Sequence, residues 1–197
     1  LKAMKQLLLI CAVVALVGCS QTVEIADPIV EKAVREKLKK PKGELTEADL
    51  EKVRVLYLRD NKLTDVKGLE KLTKLTHLFL WGNQLTNVKG LEKLTQLKVL
   101  DLNSNQLTNV KGLEKLTQLK QLNLRNNQLT KVKGLENLTQ LELLRLNNNK
   151  LTDVKGLEKL TKLEGLHLQG NPDITKAQIA QLQKALPKCF IYSNPTK

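Results

Sequence analysis

Asparagine recurs at positions 61, 83, 105, 127, 149 and 171, always 22 residues apart, and each one closes a short segment of alternating leucines such as Leu78-Phe79-Leu80-Trp81-Gly82-Asn83. The full pattern is Leu75-x-x-Leu78-x-Leu80-x-x-Asn83-x-Leu85, and it returns with few substitutions from Leu97, Leu119, Leu141 and Leu163. A period this strict excludes a conventional globular core and requires a stack of near-identical turns, each burying its apolar side chains against its neighbours. Seven apolar positions serve each turn, for example Leu69, Leu72, Leu75, Leu78, Leu80, Leu85 and Val88. One such turn buries too little to offset the ordering of its 22 residues, so the turns must form a continuous stack.

The pattern resembles the leucine-rich repeat. The fold it implies is an α/β repeat solenoid, with a curved parallel sheet on the concave face, short helical or 3-10 segments on the convex face, and helical N- and C-terminal caps. Aromatic residues make up only 3% of the chain, which suits leucine layers better than a mixed core. The asparagine column is read structurally: its side chains bond the backbone at the bend after each strand.

The first residues read as an address. Lys2 and Lys5 precede an unbroken apolar run from Leu7 to Val17, the length of a signal-peptide core and too short to span a bilayer comfortably. The run ends in Leu16-Val17-Gly18-Cys19, which resembles the lipobox of bacterial lipoproteins. That resemblance implies cleavage before Cys19, a diacylglyceryl group on its sulfur and acylation of the new amino terminus. Two or more acyl chains anchor stably where one is marginal. Ser20 follows the cysteine, which in Gram-negative lipoproteins resembles the outer-membrane sorting signal. Cys11 leaves with the signal and Cys19 carries lipid, so Cys189 is the remaining thiol and no internal disulfide is expected. Cys189 itself is read as a small buried apolar side chain.

The organisation expected is a signal peptide over 1–18, a tether over 19–26, an N-terminal helical cap over 27–52, repeats over 53–174, and a C-terminal cap helix with a final strand over 175–197. Asp27-Pro28 is a helix start, Val30, Ala33, Val34 and Leu38 recur at helical spacing, and Pro41 with Gly43 ends the element. Thr46-Glu47-Ala48-Asp49 opens a second short helix, and Thr175-Lys176-Ala177-Gln178 is a capping-box pattern. Leu186 to Asn194 then repeats the strand pattern at a spacing of 23 from Asn171, which puts Cys189 at a leucine position. The stretch from Asp27-Pro28 through Ala33-Val34-Arg35 to Leu45-Thr46 and Asp49-Leu50 resembles the N-terminal cap of internalin-like bacterial surface proteins. Members of that group bind other proteins.

Alternate strand residues point to opposite faces. With the leucines inward, three columns face outward on the concave sheet. One begins Val55, His77, Val99 and ends at Lys188; the next runs Tyr57, Phe79, Asp101, Asn123, Arg145, His167 and Phe190; the third runs Arg59, Trp81, Asn103, Arg125, Asn147, Gln169 and Tyr192. All five aromatic residues of the chain fall in these columns. Aromatic and arginine side chains are the usual composition of protein-binding hot spots. The partner-binding candidates are therefore Tyr57, Arg59, His77, Phe79, Trp81, Asp101, Arg125, Arg145, Phe190 and Tyr192, with the N-terminal cluster Tyr57, Arg59, His77, Phe79 and Trp81 favoured.

The formal charge is +13, which favours anionic partners. Lys67, Lys89, Lys111, Lys133 and Lys155 form one ladder, with Glu70, Glu92, Glu114, Glu136 and Glu158 three residues on. These charges are expected to compensate one another in part, the alternative being a basic strip for anionic lipid or an envelope polymer. No catalytic constellation is present: His77 and His167 lie four strands apart, about 19 Å at about 4.8 Å per strand, too far to share a metal. The expectation is a monomeric, non-enzymatic binding module of the bacterial envelope, without cofactor, metal or nucleic acid. It is lipid-anchored, in the outer membrane if the organism is Gram-negative, and recognises a protein through its concave face.

Overall fold

The computed structural model describes residues 21–194. The signal-like segment 1–18, the lipid-attachment candidate Cys19, Ser20 and residues 195–197 lie outside them. Helices α1 (Pro28–Leu38) and α2 (Glu47–Leu50) precede six three-residue strands, β1 (Val55–Tyr57), β2 (His77–Phe79), β3 (Val99–Asp101), β4 (Gln121–Asn123), β5 (Leu143–Arg145) and β6 (Gly165–His167). Helix α3 (Lys176–Ala185) and strand β7 (Phe190–Tyr192) follow. The seven strands form one parallel sheet in sequence order. From β1 to β6 each residue pairs with the one 22 positions later, as Leu56 with Leu78 and Leu78 with Leu100. The connections run through 3-10 segments at Leu69–Lys71, Leu91–Lys93, Leu135–Asn137 and Leu157–Lys159. A 22-residue turn has room only for such a short element opposite the strand.

The leucine columns form one continuous core from Val30 and Val34 of α1 to Leu182 of α3. The asparagines do more than close each bend. Asn83 donates Nδ2 to Leu80 O in its own turn and to Leu58 O in the turn before, both at 2.8 Å, while its Oδ1 accepts from Leu63 N at 3.0 Å. Asn105, Asn127, Asn149 and Asn171 repeat this arrangement. Each amide therefore staples two turns through backbone groups that no strand pairing reaches. Asn61 has no equivalent turn before it, and its Nδ2 bonds only Arg59 O.

Both ends are capped as their local sequence dictates. Asp27 Oδ1 accepts from the amides of Ile29 and Val30, and capping boxes form at Thr46/Asp49 and Thr175/Gln178. Lys40 reaches Asp49 at 2.7 Å, tying the end of α1 to α2.

Two expectations differ from the structure. Residues 21–26, read as part of a tether, are docked: Val23 N bonds Leu45 O, Glu47 N bonds Gln21 O, Lys71 Nζ bonds Glu24 O, and Ile25 is buried. Extended backbone that pairs with the cap and buries Ile25 is a strap, not a free linker. The final strand also lies two residues further along than a spacing of 23 implies. Gly165 pairs with Phe190, Leu166 with Ile191 and His167 with Tyr192. Helix α3 replaces the short 3-10 segment and its exit turn, Cys189 N to Leu186 O, consumes the extra residues. Ile191 thus takes the leucine position. Cys189 is nonetheless buried, within that turn. A two-residue shift preserves strand parity, so Phe190 and Tyr192 keep their outward face.

Candidate binding face

Leu56, Leu58, Leu78 and Leu80 point into the core at β1 and β2, which turns the residues between them outward. Tyr57 and Phe79 are register partners, and their rings stack with centroids 4.8 Å apart and planes 8° apart. That separation equals the usual spacing of neighbouring strands, so the sheet itself sets the stack. One step along, the Arg59 guanidinium carbon lies 5.9 Å from the Trp81 ring centroid, within cation–π range. His77 stands at the other edge of the patch with Nδ1 2.9 Å from Thr76 Oγ1. The Thr76 hydroxyl donates to Arg54 O, which leaves its oxygen to accept from His77 Nδ1 and fixes the orientation of the ring. Five of the ten candidates are therefore brought together on β1 and β2 and the residues just after them.

A second cluster stands at the other end. Tyr192 stacks on His167 at 4.6 Å and 19°, and Phe190 is 72% exposed. Burial and the nearby Arg145 charge hold the His167 imidazole below its usual pKa, so it is neutral at physiological pH. Arg145 and Tyr192 thus flank His167 in register, and Phe190 stands beside Gly165 at the start of the same strand pair. Asp101 borders the first cluster as the register partner of Phe79, and its carboxylate accepts from Asn103 N. Arg125 belongs to neither cluster and is exposed between the two ends.

The sequence columns set His167 beside Phe190, and the shifted register of β7 sets it beside Tyr192 instead. Two features of this face carry no signal in the sequence pattern. Pro28, Ile29 and Ala33 of α1 line a groove with Tyr57 and Asn61, extending the apolar surface from the stack onto the cap. Gln169 Oε1 is buried without a hydrogen-bond partner, which costs free energy in the unbound protein. Only the packing of α1 on β1 places the first residues beside the stack, and a polar residue in an outward column does not announce that it is covered.

The leucine-rich repeat family model described as Leucine Rich repeats (2 copies) matches residues 51–94, 95–137 and 139–183. No curated protein matches the chain. Among solved structures, internalin C2 of Listeria monocytogenes superimposes with a TM-score of 0.81 at 29% identity, over 87% of this chain and 75% of that one. Internalin F of the same organism does so with a TM-score of 0.67 at 26% identity, over 87% of this chain and 58% of that one. The chain thus spans less than two thirds of internalin F. The solenoid is internalin-like, a scaffold of the kind generally used to bind proteins. Its matched repeats cover most of the sequence, and the chain belongs to the leucine-rich repeat family.

Proposed function

We propose that the protein is a lipid-anchored module of the bacterial envelope that captures a protein partner on its concave sheet. The observation that carries this reading is the solvent-facing platform of Tyr57 on Phe79 beside Arg59 over Trp81. Tyr57 is 59% exposed, and the platform buries nothing of the solenoid's own core. Rigid aromatic rings bind at low entropic cost because few torsions are left to freeze. Their position on a sheet fixed by the asparagine staples means that the surface exists before the partner arrives.

The anchor rests on the lipobox-like Leu16-Val17-Gly18-Cys19, with residues 1–18 removed as a signal peptide. Mass spectrometry of the mature amino terminus tests it. A diacylglyceryl mass on Cys19 supports the anchor, and an unmodified Cys19 or cleavage elsewhere overturns it. For the partner, crosslinked pull-downs from envelope extract are run in parallel with wild type and Trp81→Ala. The wild type recovers a protein that the variant loses, whereas identical recovery by both rules out this platform as the site.

A further inference from the structure

The charge of the molecule is unevenly placed along the chain. Residues 21–54 hold eight basic and eight acidic side chains, whereas residues 55–171 hold nineteen basic against eleven acidic. Much of that surplus lies opposite the sheet. Two columns on the 3-10 side, Lys67 to Lys155 and Lys71 to Lys159, contribute nine lysines against five glutamates.

The glutamates of this face feel those lysines through space, as Glu92 does Lys93 and Lys115, but none forms an ion pair with them at contact distance among the described residues. Glu92, Glu114, Glu136 and Glu158 fold back so that Oε2 accepts from Gly90, Gly112, Gly134 and Gly156 N, at 2.5, 2.6, 2.5 and 2.6 Å. These amides open the convex turn and have no intrahelical acceptor. A bond to such an amide is worth more to the carboxylate than an exposed ion pair, which gains little in water. Among the described residues, Lys67 is the one ladder lysine in an ion pair, with Asp65 at 3.1 Å. Lys71 Nζ is held by Glu24 O, and the ammonium groups of the later turns project to solvent on a rigid frame. Between neighbouring turns, Lys131, Lys133, Lys155 and Lys159 outnumber Glu136, Asp153 and Glu158 around a shallow cleft that Val132 and Gly156 also line.

We propose that this convex face is a second binding surface, separate from the sheet, for a linear polyanion bearing phosphate, sulfate or carboxylate groups along a flexible chain. Each lysine that meets an anionic group releases counterions condensed on the polymer, and such terms accumulate along a regular array. A flexible chain follows the convex curve over all the turns, whereas a planar bilayer touches it over only a few. The face carries no aromatic side chain, and so lacks the stacking platform on which single-stranded nucleic acids rely.

The test uses the full chain with long-chain polyphosphate as probe, over a series of salt concentrations. Lys89→Gln/Lys111→Gln/Lys133→Gln removes three array charges, and Lys32→Gln/Lys37→Gln/Lys42→Gln removes the same number from the cap. We expect the array variant to bind at least about 10-fold more weakly at low salt, with the slope of log affinity against log salt shallower by about 2. The cap variant and Trp81→Ala stay within about twofold of wild type, which separates this surface from the concave platform. Thermal melts confirm that the three exposed substitutions leave the fold intact. Equal weakening by the array and cap variants, or no binding of polyphosphate by wild type at low salt, overturns the proposal. So does binding to phosphatidylglycerol vesicles that matches or displaces polyphosphate, since the surface would then be one for lipid.

Discussion

Tyr57 lies flat on Phe79, with ring centroids 4.8 Å apart, because the parallel register places the two residues side by side on neighbouring strands. Nothing in the core depends on the pair. It follows that Tyr57→Ala and Phe79→Ala each lower stability by no more than about 1.5 kcal/mol, and that a double-mutant cycle gives a coupling of about 0.5–1 kcal/mol. Partner capture in the same variants is lost. Urea denaturation beside a binding assay separates the two effects, and a large stability loss in either single variant would make the pair structural.

The asparagine ladder behaves in the opposite way. Asn127 donates to Leu102 O, Leu124 O and Arg125 O and accepts from Leu107 N. Asn127→Ala leaves several of these buried backbone groups without partners, at a cost of about 3 kcal/mol or more. Asn61→Ala removes one bond within its own turn and costs about 1 kcal/mol or less. Urea midpoints at unchanged m-value check the contrast.

The same asparagines explain what was legible in the sequence. A strict 22-residue period specifies the register of β1 to β6, because every bend, staple and leucine layer must repeat in step. It fails at β7, where α3 substitutes for the 3-10 segment and Asn194 leaves the ladder: its Oδ1 accepts from Gly170 N, where a ladder asparagine takes a leucine amide. The strap at 21–26 has no period because it occurs once. The outward columns were readable from strand parity, and all ten candidate side chains lie where parity places them. Their contacts were not. The ring stacks and the Arg59–Trp81 approach depend on rotamers, and the destination of the glutamates depends on a backbone amide that the sequence does not display.

The strap gives a sharper prediction. Gly68 has φ +85°, and a Cβ there would meet Ile25 Cγ2 at 2.8 Å, whereas a Cβ at Gly90, φ +113°, would meet Val66 Cγ2 at 3.5 Å. Both substitutions to alanine strain the backbone, but only Gly68→Ala pushes on the strap. Amide exchange at Val23, bonded to Leu45 O, is expected to accelerate in Gly68→Ala and stay at the wild-type rate in Gly90→Ala.

Acid sensitivity concentrates at the N-terminal cap. Lys40 holds the Asp49 carboxyl well below the usual carboxylate range, with further bonds from Thr46 and Lys52. A carboxylate with a lowered folded pKa contributes stability that is present above its unfolded value of about 3.9 and is lost as pH falls toward the folded one. The cap is therefore expected to loosen below about pH 4. Asp49→Asn lowers stability at pH 7 and flattens this acid limb, measured as the urea midpoint from pH 7 to 2.5. An acid limb unchanged in the variant would assign it to other carboxylates, of which Glu92 and Glu136 also have lowered pKa values through their backbone bonds.

Cys189 closes the fold at the turn into β7. Its side chain is buried at the end of the core, burial pushes the thiol pKa up, and Sγ makes one weak hydrogen bond, to Phe190 O at 3.8 Å. Alkylation requires the thiolate and access to it, and both are denied in the native state. Labelling by iodoacetamide at pH 8 is thus expected to be roughly 100-fold slower in the folded protein than in urea. Because the thiol sits between α3 and β7, its labelling rate at rising urea reports opening of the C-terminal cap. If Cys189 labels before Val23 loses exchange protection, the solenoid unravels from its C-terminal end; fast labelling in the absence of urea would show instead that the turn is not closed as described.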